Sequence, residues 1–473
     1  MHARRDQVQA HTFMVGRLIS ALLRGEPDLP VTPMRRTPTG LIIGLILAAL
    51  AVGGLVVFAL LVPGGATAWR KPGTLIVEKQ TGNRYVLLDG RLRPVLNYAS
   101  ARLLLGPKLV IDSVSAKSLA GVPRGGAVGI VGAPDVLPGS AASDAPWLVC
   151  ATSTVDTSGT GHPALALRVG TGTGTGAQPL PDRLAVLVRT AEGTRYLAWR
   201  DRRMRLSAPW VAQALGLDDS AALPVRDSWI DALPAGPDLG PRPVPGQGLA
   251  GPQFDGQPSK VGQVFVVHGT GVLQRFYQLS AGGLVPMTAT GVALALGDPA
   301  IAQSYGGQPP QPRELSPAAL GAATVLPAPD WQAQAPPSPP TLASGAERVP
   351  CVQVIPGADN PTVSVMTAAA GAIGGAGGNG PAQSRDARVA DQIAVQPGGG
   401  LLARTQPAPG QPGIGLYLVT EEGAKYPVAD PASAEALGVA ATSAVPVPAD
   451  LLALLPTGPV LERPADGGGA TGP

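Results

Sequence analysis

Cysteine is nearly absent from this chain: its 473 residues contain two, Cys150 and Cys351, beside four histidines, His2, His11, His162 and His268. Two thiols with no histidine nearby cannot assemble a metal site, and the histidines show neither zinc spacing nor a hydrolytic triad. A dominant charge is missing too. The 35 basic and 32 acidic residues leave a net charge of +3, so no basic field argues for nucleic acid. Aromatic side chains make up 4% of the chain, which leaves no platform of rings for a wall polymer. The phosphate cradle G-x-x-x-x-G-K-[ST] does not occur. The run Gly170–Gly176 imitates its glycines but lacks the lysine and the following helix, and reads as a loop. The paired acids Asp218-Asp219 and Glu421-Glu422 sit at turns and read as solvated surface. No catalytic residue, cofactor or metal ligand can be named from these sets.

Glycine (63) and proline (52) are abundant, about a quarter of the chain, near the level at which low-complexity segments are expected. The proline-rich Gln303–Pro340 and the glycine-rich Ala370–Gly400 are expected to contain mobile or irregular loops, and the tail "ADGGGATGP" to be disordered. An apolar share of 45% over this length still allows cores in two to four domains.

The segment Leu41–Val62 carries no charged or strongly polar side chain. As a helix it spans about 33 Å, enough for a bilayer core. Arg4, Arg5, Arg17, Arg24, Arg35 and Arg36 precede it, whereas only Arg70 and Lys71 follow closely. The positive-inside rule therefore predicts a cytoplasmic N-terminus and an external remainder. Ala66-Thr67-Ala68 imitates a signal-peptide cleavage site, but the length and late position of the apolar run favour a stable anchor. Both cysteines then lie in an oxidising compartment, where an isolated pair favours a bridge; two buried thiols are the alternative.

Beyond the anchor the sequence repeats itself. Strand-like runs at Thr74–Val77, Leu184–Val188, Val264–Val267 and Gly415–Val419 are each followed by a glycine-bearing turn and a tyrosine: Tyr85, Tyr196, Tyr277 and Tyr426. A Leu-Gly pair closes each following segment, at Gly106, Gly216, Gly297 and Gly438. Each unit is read as a hairpin, a short helix ending at a C-cap glycine, and a return strand, with the tyrosine as a core plug. The last tyrosine lies only 12 residues before its glycine (438 − 426), so the fourth copy reads as shortened. Val225–Leu239, "VRDSWIDALPAGPDL", echoes Val447–Leu461, "VPADLLALLPTGPVL".

Ahead of the anchor, Val15, Leu18, Ile19, Leu22 and Leu23 follow the i, i+3, i+4, i+7, i+8 spacing of an amphipathic helix. The stripe has no core of its own, so docking onto a partner subunit is expected ahead of lying on the inner leaflet.

The head "QVQAHTFMVGRLISALLRGEPD", the single span, the block "RKPGTLIVEKQTGNRYVLLDGRLRPVLNYASARLLLG" and the repeats together resemble the EccB family of the actinobacterial type VII (ESX) secretion machine. The resemblance covers essentially the whole chain. It implies an α+β fold: an N-terminal amphipathic helix, a single transmembrane helix and an elongated periplasmic region of four small repeat domains around a β-rich central domain. Mapped onto this sequence it gives a cytoplasmic head (1–40), transmembrane helix (41–62), linker (63–72), repeat 1 (73–138), a first segment of the central domain (139–180), repeat 2 (181–241), repeat 3 (258–329), a second segment of the central domain (330–412), repeat 4 (413–461) and a tail (462–473). Cys150 and Cys351 fall in the two central segments, so the resemblance implies a bridge stapling that domain. It further implies a structural subunit of the cytoplasmic membrane that assembles with EccC, EccD and EccE and self-associates in the periplasm. Some members are described as ATPases, which keeps a nucleotide-hydrolysing enzyme as an alternative beside a cell-wall-binding anchor.

Overall fold

The computed structural model describes residues 3–24, 37–61, 67–139, 145–170, 176–269, 274–343, 347–373, 388–411 and 413–464. The expected tail from 465 onward lies outside them. The chain forms two compact units: Met1–Leu92 with Ile111–Arg124, and Arg93–Val110 with Gly125–Pro473.

The first unit begins with the helices Ala3–Arg24 and Thr37–Leu61. Within the second, Thr39–Phe58 is long and apolar enough to cross a membrane, and no other helix among the described residues is. A helix suits that setting because its backbone groups bond within the segment. A four-stranded sheet follows, in the order Arg91–Pro94, Arg84–Leu88, Thr74–Glu78, Val110–Val114. Its core is Trp69, Ile76, Tyr85, Leu92, Val114 and Leu119. Trp69 falls in the stretch 63–72 expected to be a linker, yet it is 1% exposed and fastens the chain to the sheet. Tyr85 is buried, and its hydroxyl accepts from Arg124 at 2.9 Å and donates to Glu78 at 3.3 Å.

The second unit holds a six-stranded sheet drawn from two distant stretches of sequence. Its order is Gln392–Val395, Gly161–Val169, Trp147–Val155, Arg348–Ile355, Thr362–Ala369, Gln178–Pro179. Three more sheets repeat the strand order of the first unit: third, second, first, fourth. In these three the fourth strand runs parallel to the first, and the first three strands pair antiparallel; in one of them Thr341–Leu342 adds a further parallel pairing to Leu184–Arg189.

Each sheet therefore contains a third short strand where the sequence suggested a two-stranded hairpin. In the second sheet that strand is Arg202–Arg205, "RRMR", in which Met204 alone is buried. One apolar residue in four gives no alternation to read, so pairing with Arg195–Trp199 recruits the strand.

The fourth sheet corrects the reading of a shortened copy. Its first strand is Gly400–Gln406, outside the expected span 413–461, and the run taken as the first strand is the second, Leu416–Thr420. Tyr426 sits on the third strand, Lys425–Val428. The tyrosine on the second strand is Tyr417, 21 residues before Gly438 (438 − 417), the spacing of Tyr85 to Gly106 (106 − 85). The strand order and the position of this tyrosine match those of the first sheet. Gly297 is corrected as well: it is the last residue of the helix Ala289–Gly297, not a residue beyond its end. A Cβ there would lie 2.4 Å from the Ala214 Cβ, so glycine serves close helix approach at this position.

The proline-rich stretch Gln303–Pro340, expected to be mobile or irregular, contains the helix Pro317–Ala322, capped by the Ser316 hydroxyl. Gln332 is buried there and bonds both the Thr288 N–H and the Pro286 carbonyl. Proline fits the first helical turn because its missing N–H has no role there.

One large core joins the six-stranded sheet (Trp147, Leu165, Val352) to both echoed segments. Trp229, Ile230 and Leu233 of the first occupy the places of Leu451, Leu452 and Leu455 in the second. The bridges Arg203 to Ala235 and Lys425 to Thr457 repeat likewise. In the second echo, Gly458 lies against the Tyr426 ring, where an added Cβ would meet Cδ1 and Cε1 at 2.3 Å. Gly458→Ala is therefore expected to destabilise the second unit by about 1–3 kcal/mol through overpacking. Thermal unfolding monitored by near-UV circular dichroism should show the lower midpoint; an unchanged one would mean that the ring moves aside freely.

Candidate functional site

The two cysteines meet at the middle of the six-stranded sheet. Trp147–Val155 pairs antiparallel with Arg348–Ile355, and the register sets Cys150 opposite Cys351, beside Val149 opposite Val352. Alternation sends Trp147 and Val149 into the large core. It sends Leu148 and Cys150 to the other face, where Ala166, Cys351, Met366, Ala368 and Ile373 enclose them. The sulfurs are bonded, the Cα atoms lie 4.0 Å apart, and both residues are wholly buried. Of the bridge and the two buried thiols, the structure has the bridge. It closes a separation of 201 residues. In the chain-entropy model, whose enthalpic share is disputed, such a loop is worth about 5 kcal/mol.

A second long-range contact has no counterpart among the sequence expectations. The Asp391 carboxylate accepts from the Leu165 N–H at 2.7 Å and from Arg226 at 2.7 Å. It thus ties the six-stranded sheet to the start of the first echoed segment. Separations of 226 and 165 residues leave no local pattern by which to find it.

The head stripe is presented as expected for a helix. Val15, Leu18, Ile19 and Leu22 are exposed, with Leu22 at 78%. Phe13 and Met14 are exposed beside them, so the apolar surface is wider than the stripe. The side chain of Leu23 lies outside the described residues.

The ionisable groups are dispersed. His162 pairs with Asp156 at 2.9 Å on an exposed hairpin, and His268 with Glu314 at 3.1 Å. Hydrogen bonds from Ser158, His162 and Thr160 hold the Asp156 carboxyl well below the usual carboxylate range. Asp218 caps a short turn through the Ser220 N–H, and Asp219 pairs with Arg195 at 2.6 Å. Glu421 and Glu422 are half-buried, not solvated as expected, because they accept from the Gly398 N–H and the Tyr426 hydroxyl. Burial, with Glu422 beside it, pushes the Tyr426 hydroxyl far above its ordinary pKa. Among the described residues no group of three or more His, Cys, Asp or Glu could hold a metal. Residues 171–175 of the glycine run lie outside the described residues.

The architecture of one apolar helix followed by a sulfur-tied sheet assembly has close parallels. The family described as "Type VII secretion system ESX-1, transport TM domain B" matches residues 2–466. The chain belongs to the EccB family. It is 30% identical to the "ESX-3 secretion system ATPase EccB3" of Mycolicibacterium smegmatis, over 97% of this chain and 89% of that one. It is 29% identical to the "ESX-5 secretion system ATPase EccB5" of Mycobacterium marinum, over 97% and 92%. Its fold is similar to a chain in an intact ESX-5 inner membrane complex, with TM-score 0.68 and 26% identity over 99% of this chain and 96% of that one. A similar likeness, TM-score 0.66 and 27% identity over 84% and 100%, is to an EccB3 dimer from the ESX-3 core complex.

For this EccB chain the bridge makes a direct expectation. Peptides containing Cys150 and Cys351 should appear linked in non-reducing mass spectrometry, and two alkylatable thiols in the native protein would contradict it. Cys351→Ser should lower stability by about 2–5 kcal/mol.

Proposed function

We propose that this chain is a structural membrane subunit of a type VII (ESX) secretion complex, anchored by Thr37–Leu61 with its N-terminus in the cytoplasm. The observation that carries the reading is the likeness, over nearly the whole chain, to a component of an intact ESX-5 inner membrane complex. The excess of arginine before the anchor supports the orientation, which would put both sheet units in the periplasm. There the four sheets of shared strand order would act as repeat domains about the sulfur-bridged six-stranded domain, with the fourth beginning near Gly400. They would carry contacts between copies, as the dimer in the ESX-3 relative suggests. The exposed head stripe would dock on the cytosolic parts of the assembly, with EccC, EccD and EccE as expected partners.

The relatives carry the word ATPase in their names. The structural reading is favoured here because the sequence lacks a phosphate cradle and the paired acids Asp218 and Asp219 are engaged in a turn cap and an ion pair. Most helical stability in proteins comes from packing an apolar face, and the head helix leaves that face exposed. Charging that face by Leu18→Asp with Leu22→Asp should reduce co-purification of the other subunits while leaving the thermal transition of the sheet units unchanged. A double variant that assembles and secretes normally would remove the head as a docking element. For topology, alkaline phosphatase fused after Pro473 should be active; a silent fusion together with an active cytoplasmic reporter would reverse the orientation.

A further inference from the structure

The near-neutral charge of the whole chain conceals a division between the two units. Beyond the anchor, the first unit (67–92 and 111–124) carries seven basic and three acidic residues, a net charge of +4 (7 − 3). The second unit carries 22 basic and 26 acidic residues, a net charge of −4 (22 − 26). The excess in the first unit is also uncompensated. Arg70, Lys71, Lys79, Arg91, Lys117 and Arg124 are exposed, and among the described residues none of them is in an ion pair. By contrast, Arg195, Arg203 and Arg205 of the second sheet each meet an aspartate. Of the three acids in the first unit, Glu78 is buried and accepts from the Thr81 and Tyr85 hydroxyls.

Three of these cations stand at one end of the sheet, the end by which the chain arrives from the anchor. Ala68–Arg70 forms a short turn whose Trp69 is buried in the sheet's core, and Lys71 closes it. The Arg70 guanidinium lies 4.8 Å from the Trp69 ring centroid. The antiparallel register of Leu75 with Val86 brings the start of Thr74–Glu78 beside the end of Arg84–Leu88. A two-residue turn follows, Asp89 and Gly90 with φ of 52° and 72°, and Arg91 opens the next strand at the same end. The three side chains are thus held on a folded unit, not on a loose linker. Eight residues separate Leu61 from Trp69 (69 − 61), so this end lies within about 29 Å of the end of the anchor.

We infer that the first unit rests with this end on the phosphate layer of the bilayer, where Arg70, Lys71 and Arg91 bind anionic phospholipid headgroups. The inference builds on the reading of Thr37–Leu61 as a membrane anchor. Charge complementarity selects an anion, and guanidinium groups match phosphate oxygens in shape as well as sign. The tether selects the lipid as its source, because every copy is held beside the headgroups at any protein concentration. The acidic second unit of another copy is the competing surface, and the test separates the two.

The full chain is reconstituted in nanodiscs of phosphatidylcholine alone or of phosphatidylcholine mixed with phosphatidylglycerol, and acetylation of each lysine by an amine reagent is followed by mass spectrometry. Lys71 should react about fivefold more slowly in the phosphatidylglycerol discs, the scale of one basic residue at an anionic surface. Lys79, at the far end of the same sheet, and Lys260, on the second unit, should change far less. High salt should abolish the difference. Arg70→Glu with Arg91→Glu should abolish it too, while the thermal transition stays in place because both side chains are exposed. If the double variant unfolds, Arg91→Glu alone at the hairpin turn decides the matter. Equal acetylation of Lys71 in the two lipids would overturn the proposal, as would protection that survives the charge reversal, since the tether alone would then explain it. Protection that appears in detergent as protein concentration rises would assign this end to a second copy instead. A chain that does not enter the discs removes the anchor, and this inference with it.

Discussion

The architecture of the second unit depends on a single pairing, that of Trp147–Val155 with Arg348–Ile355. Each strand brings its own hairpin partner, but neither hairpin alone has a covered face. A two-stranded ribbon is marginal in water. Once the pair forms, Trp147, Val149 and Val352 face one core while Cys150 and Cys351 close the other. The disulfide fixes a register that the core demands, because a slip of one residue would exchange the two faces. The echoed helices Asp227–Asp231 and Ala449–Ala453 then pack into the same core, so the sheets that bear them cannot be placed independently of that pairing.

Electrostatics plays a smaller role. The second sheet carries the most arginine-dense stretch of the chain, yet Arg195, Arg200, Arg202, Arg203 and Arg205 each meet an aspartate. Exposed pairs of this kind contribute little to stability. What they do is cancel a field, so that a sequence rich in arginine over a dozen residues presents no basic patch. That agrees with the near-neutral net charge.

Much of this organisation was legible in the sequence, for identifiable reasons. The apolar run before Trp69 and the recurring strand, turn and tyrosine are local patterns, and local patterns survive in one dimension. The family resemblance supplied the division of the central sheet between two distant segments, which no periodicity in this chain reveals. What failed was register within a repeat. Tyr426 and Tyr417 lie nine residues apart on neighbouring strands, and only the pairing with Gly400–Gln406 tells which is equivalent to Tyr85. Arg202–Arg205 was missed because a strand with one buried residue resembles a loop. The Asp391 contacts were invisible because they join residues with no regular spacing. Of the head, the helical stripe could be read, but the exposed Phe13 and Met14 widen the surface beyond the helical period.

The bridge also sets a timetable. During synthesis the Trp147–Val155 strand leaves the ribosome long before its partner, since 201 residues separate the cysteines. At about 5–20 residues per second the wait is roughly 10–40 s. For that interval a hairpin with two apolar faces stands uncovered and Cys150 has no mate in its own chain. The nascent protein is then open to pairing with the wrong strand or the wrong thiol. Its yield in a cell is accordingly tied to chaperones and thiol oxidants that act within that interval, and not only to the stability of the finished fold.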